Sequence, residues 1–493
     1  MFKKILPVAL LAAALASANA EEKKFEKKAV EIKQLPAAQN EALFGGRIQR
    51  TMTLLSTSNE KIKRNVKILF FGQSIVQGMH WKDIIEELKE RYPNANIISE
   101  NSAIGGFTAP ALVRPSVHAL YPFYPDLVVF HVYEANTGDW ERIIYNIRKY
   151  TTAEIMIFTH QVASAKDFKA RTKNDNNDSD MIRYIAQKYN CELVNVRREW
   201  KNYLATHGIK ENELMGNKIK PNVHPNKEGH TLLAQMIMRH FKENSLFPGG
   251  WFNTVKTYEA RRAVEEKSDE ITFSGAPWKT SRSGIIGILP ESSLKLKFNG
   301  NRVDVSSFTC SGKLGSAKVL VDGKAPSSFS SLYFCTVPSR AHKVWWPALK
   351  RVTLGKNPTP ENWTMTLTKV SADGKSIEFE LEGSVTGKDG KGSNKSKFIS
   401  DSGKIIIEPK DFHVSFAQTY RKTKCPENFK VTWEVKPAFV DVWKPENLKD
   451  KALENRVTLF QGLENTEHTL ELIPNGDGRI PVKSIIVHSP PLK

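Results

Sequence analysis

The chain has 493 residues, too many for one ordinary domain, and the length points to two or three. Apolar residues make up 40% and charged residues 25%, which fits a folded globular protein and excludes a disordered or fibrous one. Lys and Arg number 72 against 53 Asp and Glu, a net charge of +19 that suits acidic partners; the charge is scattered and no nucleic-acid motif accompanies it, so nucleic acid is not an expected partner.

Residues 1–20 read as a secretory signal peptide. Lys3 and Lys4 precede an apolar run over 5–16, and Ala18-Asn19-Ala20 places small residues for cleavage. No cysteine follows the cut and no later stretch is long and apolar enough to span a bilayer. The chain is therefore expected to be secreted or periplasmic, with no membrane anchor. Residues 21–60 begin charged and read as a tether.

From 61 to 245 strand and helix patterns alternate. Residues 66–71, 96–98, 127–132, 154–158 and 193–196 read as strands. Helical stripes fall at Trp81/Ile84/Ile85/Leu88, Trp140/Ile143/Ile144/Ile147 and Ile182/Ile185/Ala186/Tyr189, with a last helix over 229–241. This alternation predicts a parallel sheet covered by helices on both faces, with ligands at the carboxyl ends of the strands. Residues 246–268 read as a linker. Short alternating runs over 269–493, with Gly, Asn, Asp and Ser turns, predict an antiparallel β-sandwich or jelly roll interrupted by a long insertion. Within it Lys388-Asp-Gly-Lys-Gly-Ser-Asn-Lys395 reads as an exposed glycine-rich loop.

Four places in the first domain carry candidate chemistry. Gly72-Gln73-Ser74 ends the first strand and presents a serine at the start of a helix, beside free N–H groups. Taken alone, the stretch reads first as a turn in which Ser74 caps the helix. Asn101-Ser-Ala-Ile-Gly-Gly106 follows the second strand, and its small residues let backbone N–H groups approach a developing oxyanion. His131-Val-Tyr-Glu-Ala-Asn136 ends the third strand. Pro221-Asn-Val-His224-Pro-Asn226 opens the last helix, where His224 can serve as general base to a serine.

In order and context these four resemble the blocks of the SGNH (GDSL-like) hydrolase superfamily, over residues 65–241. A Gln before the serine also resembles secreted bacterial carbohydrate esterases. The resemblance implies a flavodoxin-like three-layer α/β/α domain and a serine esterase that removes acyl groups, acetyl first among them, from a polysaccharide. It implies Ser74 as nucleophile and His224 as base, with no metal and no cofactor. It implies an oxyanion hole from the N–H groups of Ser74 and Ala103 and the side chain of Asn136. Gln73, Gly106, Trp81 and His131 are candidate pocket residues. Two departures stand out. Ungapped counting from Asp126 puts Ala135, not Asn136, at the asparagine position, and Pro221 stands where the triad acid is expected. They leave open a catalytically lapsed glycan-binding protein. His160 faces the site with His131, and Arg114 is a weak candidate for an acidic sugar. An acidic polysaccharide is one form of the expected substrate, given the positive charge.

Cys310 and Cys335 share a β-rich region and are the first candidates for a disulfide, set against four buried free thiols including Cys191 and Cys425. The later strands loosely resemble jelly-roll domains that accompany carbohydrate esterases. Trp278, Trp345, Trp346 and Trp363 are candidates for stacking on sugar rings or for the core.

Overall fold

The computed structural model describes residues 30–162, 169–216, 223–247, 254–266 and 270–492. Residues 1–20 lie outside these, as do Pro221 and Asn222. Five parallel strands form the first sheet: β1 (Asn65–Gly72), β2 (Asn96–Asn101), β3 (Leu127–His131), β4 (Glu154–Phe158) and β5 (Glu192–Val194). Their spatial order is β2-β1-β3-β4-β5, the flavodoxin-like order expected of an alternating α/β chain.

Strand residues alternate between two cores, as a pleated sheet buried on both faces requires. Leu69, Phe71, Val128, Phe130, Ile155 and Ile157 enter one core. Ile68, Phe70, Val129, Met156 and Phe158 enter the other. The central strands β3 and β4 are legible because each is a short apolar run with no polar face to hide.

The expected tether is partly structural. Gln49–Ser56 is a helix whose Met52 and Leu55 are buried in the second core. Its first N–H groups are capped from far along the chain: the Glu154 carboxylate accepts from Arg50 N at 2.8 Å and Thr51 N at 2.7 Å. The expected linker also folds in part. Val255–Glu259 pairs antiparallel with Ser484–His488 at the edge of the second domain's main sheet.

That sheet has seven antiparallel strands, built around Ser293–Ser306 and Arg456–Pro474; a three-stranded antiparallel sheet accompanies it. The insertion forms its own five-stranded antiparallel sheet, running from Tyr333–Cys335 to Gly387–Ser393, and a small three-stranded one. Gly387–Ser393 corrects the reading of 388–395 as a loop, because it pairs with Ile377–Gly383. Gly392 is required there. A Cβ on it would lie 2.5 Å from the Phe398 ring and 2.7 Å from that of Phe379. Glycine in this strand makes room for two aromatic rings.

All four cysteines are buried and free, so the Cys310–Cys335 pairing does not form. Cys335 lies on an edge strand of the insertion, while Cys310 follows the long strand of the other sheet. Arg114 is not a surface cation awaiting a sugar. Its guanidinium makes a two-point pair with Asp411 of the insertion, which is 1% exposed. His118 fastens the same two units: Nδ1 bonds the Cys335 carbonyl at 3.0 Å and Nε2 accepts from Val352 N at 3.0 Å.

Buried histidines give a pH prediction. Burial, as the first cause, pushes His118, His230 and His413 down to about 4, and His488 to about 3. Between pH 6.5 and 4 the unfolded chain takes up protons at these sites and the folded chain does not. Stability therefore falls as pH falls through that window, on the order of 1 kcal/mol per pH unit per histidine. Burial raises Glu154 and Glu199, which act in the opposite direction but are outnumbered. The thermal midpoint is expected to drop steeply from pH 6.5 to 4; a flat or rising midpoint would contradict neutral buried histidines.

Candidate active site

β1 must end in a residue without a side chain. A Cβ on Gly72 would sit 2.1 Å from the His131 carbonyl oxygen of β3 and 2.7 Å from Val76 Cγ2. The chain then turns into the single-turn helix Ser74–Gly78, with Gln73 as its N-cap. Gln73 is 2% exposed, and its Oε1 accepts from Ile75 N at 3.1 Å. The cap is thus Gln73, which frees the Ser74 side chain from that role.

Ser74 Oγ lies 2.8 Å from His224 Nε2 and 2.5 Å from Gln73 Oε1. The serine has one proton for two acceptors. It goes to Nε2 when His224 carries its own proton on Nδ1, and to Gln73 when His224 carries it on Nε2. Only the first tautomer lets the histidine take the serine proton as Oγ attacks.

The His224 backbone is held at three points. Gly216 N donates to the His224 carbonyl at 2.8 Å, Met215 pairs with Pro225, and Gln161 Nε2 donates to the Val223 carbonyl at 2.5 Å. Gln161 is 1% exposed, and the same Nε2 also donates to Tyr133 Oη at 3.2 Å. Neither Gln161 nor Tyr133 was legible as a site residue, since each acts through backbone and neighbours rather than through a motif. His230 sits behind this loop. Burial, with His80 and His224 nearby, pushes it down to about 4, so it stays neutral beside His224.

The second block needs a correction. The Ala103 N–H is not free: it donates to Asn101 Oδ1 at 3.0 Å. Ile104 N donates to the Gly72 carbonyl at 2.9 Å. Among the described residues no partner is found for the N–H groups of Gly105 and Gly106, which makes them the free donors of the loop. Gly105 faces Ser74, since a Cβ on it would lie 3.7 Å from Ser74 Cβ. Asn101 serves as a brace, its Nδ2 donating to the Val76 carbonyl at 2.9 Å.

Asn136 stands exposed on the turn Ala135–Thr137, and among the described residues it makes no hydrogen bond to Ser74 or His224. Ala135 is the buried member of that turn. His131 and His160 are fully buried and do not line a pocket. Nδ1 of His160 meets Nε2 of His131 at 3.2 Å, and Nε2 of His160 meets Asp178 Oδ2 at 3.3 Å. Burial first, then His160, holds His131 well below the usual histidine range. Asp178 Oδ2 also accepts from Glu134 N at 3.0 Å, so this relay ties the third block to the helix Lys169–Lys188. Trp81 is half-buried with its ring 5.6 Å from that of Phe70.

Gly106 has φ +81°, and a Cβ on it would lie 2.8 Å from Trp346 Cζ2 of the insertion. Both indoles of Trp345 and Trp346 donate to the Gly105 carbonyl, at 3.0 and 2.5 Å. The insertion is therefore latched to the loop beside Ser74. Trp278, Trp346 and Trp363 are buried, and Trp345 is half-buried.

No protein-family model and no curated protein matches the chain. Among solved structures it is similar to a two-domain esterase active on acetylated mannans, co-crystallised with mannopentaose, at 15% identity over 90% of this chain and 94% of that one, TM-score 0.33. It is also similar to a catalytic mutant of Axe2, an acetylxylan esterase from Geobacillus stearothermophilus, at 17% identity over 39% of this chain and 98% of that one, TM-score 0.32. A third is the acetyl xylan esterase AlAXEase, at 22% identity over 35% of this chain and 98% of that one, TM-score 0.30. These neighbours are carbohydrate acetylesterases. At such values no residue role is carried across.

Proposed function

We propose that this chain is an exported serine esterase of SGNH type that removes acyl groups, acetyl first among them, from a polysaccharide. The observation that carries the reading is the 2.8 Å approach of His224 Nε2 to Ser74 Oγ at the carboxyl end of β1. Ser74 Oγ attacks the ester carbonyl while His224 Nε2 takes its proton. The tetrahedral oxyanion is met by the N–H of Ser74 and by the free N–H groups of Gly105 and Gly106, each such donor contributing about 3 kcal/mol. His224 then protonates the leaving sugar hydroxyl. Water, deprotonated by His224, releases the acid from Ser74.

Export follows from the pattern of residues 1–20. Among the described residues no helix is long and apolar enough to cross a membrane. The activities of the neighbours on acetylated mannan and xylan name the first substrates to try, and the net charge of +19 adds acetylated acidic polysaccharides. A lapsed glycan-binding protein is the second reading. It is favoured by the occupied N–H of Ala103 and the outlying Asn136. Acetate release from acetylated xylan, mannan and pectin separates the two. The esterase reading expects release by the wild type. Binding with no release from any of the three contradicts it.

A further inference from the structure

The insertion contributes more than a latch. Beyond the two indoles lies the short helix Phe416–Arg421, which leaves Phe416 42% and Tyr420 51% exposed. These are large aromatic side chains facing solvent on a module whose other rings are buried or half-buried. The Tyr420 ring lies 4.7 Å from that of Trp346 and 5.4 Å, edge-on, from that of Trp345. The Phe416 ring meets Trp346 edge-on at 5.5 Å. The Arg421 guanidinium sits 4.4 Å over the Trp345 ring. Trp346 is fixed from behind by His413, stacked at 5.1 Å. The cluster is therefore rigid at its base and open at its top.

Its position gives it a meaning. Ser74 faces Gly105, Gly105 holds Trp345 and Trp346, and these carry Tyr420 and Phe416. Three short steps separate Ser74 from an exposed aromatic face. A pyranose has an apolar C–H face and a rim of hydroxyls. Aromatic rings suit the face, and the cation and polar neighbours suit the rim. The rim is supplied by Arg421, Lys422 and Lys424, all exposed. The exposed rings are few and rimmed by charge, too small a patch for a stable protein–protein interface.

We propose that Trp345, Phe416 and Tyr420 form a sugar-binding subsite that seats a ring of the polysaccharide next to the esterified residue at Ser74. The proposal rests on the esterase reading for its orientation, and the test separates the two. Affinity electrophoresis in gels holding acetylated xylan or acetylated mannan reads binding with Ser74→Ala as the parent, so hydrolysis plays no part. Adding Tyr420→Ala, alone or with Trp345→Ala, is expected to weaken retardation at least tenfold. Tyr420→Phe is expected to keep it within about threefold, since the ring face remains. Tyr420 is exposed, so its single replacement decides the matter if the double variant fails to fold. Unchanged retardation with Tyr420→Ala, or none for the parent in either gel, overturns the subsite. Failure of the esterase reading is seen separately, as absent acetate release by the otherwise unaltered chain.

Discussion

Ser74→Ala is expected to lower kcat/KM for an aryl acetate by at least about 10⁴-fold, because a nucleophile and its base act as one unit. The fold should survive. Among the described residues the hydroxyl bonds Gln73 and His224, and its loss costs about 1 kcal/mol. His224→Ala should cost a comparable factor. The double variant should lose no more than the worse single one, the signature of groups that work together. Steady-state kinetics with a thermal melt of each variant checks this. Losses that multiply in the double variant would place the two residues in separate roles, whatever their 2.8 Å separation.

Gly72→Ala is the second large effect, and it needs no change in any reacting group. The new Cβ would lie 2.1 Å from the His131 carbonyl, a backbone atom at the carboxyl end of the parallel ladder. Nothing flexible is there to yield. β1 and β3 must part at their carboxyl ends, and the bond from Gln73 N to the His131 carbonyl at 3.3 Å goes with them. Overpacking of this kind costs about 1–3 kcal/mol. The larger consequence is for rate. Ser74 stands two residues on, and a shift on the order of 1 Å in a reacting group lowers turnover about 100-fold. Circular dichroism melts and aryl-acetate kinetics would show both. Wild-type turnover with a wild-type melt would contradict the close approach of β1 to β3 at Gly72.

Much of the α/β domain is readable from the chain because its central strands are apolar runs with clear ends. Residues 154–158 begin and stop where expected. Ser74 and His224 are readable because the spacing of small residues and strand ends is local information. What escaped depends on distant partners. The helix Gln49–Ser56 looks like tether until Glu154, about a hundred residues on, caps it. The segment Val196–His207 is a helix that hides Val196, Trp200, Tyr203 and Leu204 at helical spacing, a stripe with charged residues between its members. His131 and His160 carry site-like chemistry, but they face each other and Asp178 below the surface, and no spacing rule pairs them. The glycine-rich run at 387–393 reads as a loop because the rings that fill its missing side chains come from other strands. Gln161 and the paired indoles of Trp345 and Trp346 reach the site only through the tertiary fold.

Everything proposed for the site depends on Ser74 being a nucleophile made reactive by His224. A phosphonyl fluoride probe tests that directly. Attack forms an Oγ–P bond, breaks the P–F bond, and releases fluoride with the serine proton. Peptide mapping by mass spectrometry should then find one adduct, on the peptide that holds Ser74. The same exposure of His224→Ala should leave that peptide unlabelled. No adduct on the wild type, or an adduct on a different residue with Ser74 unmodified, would contradict a reactive Ser74–His224 pair.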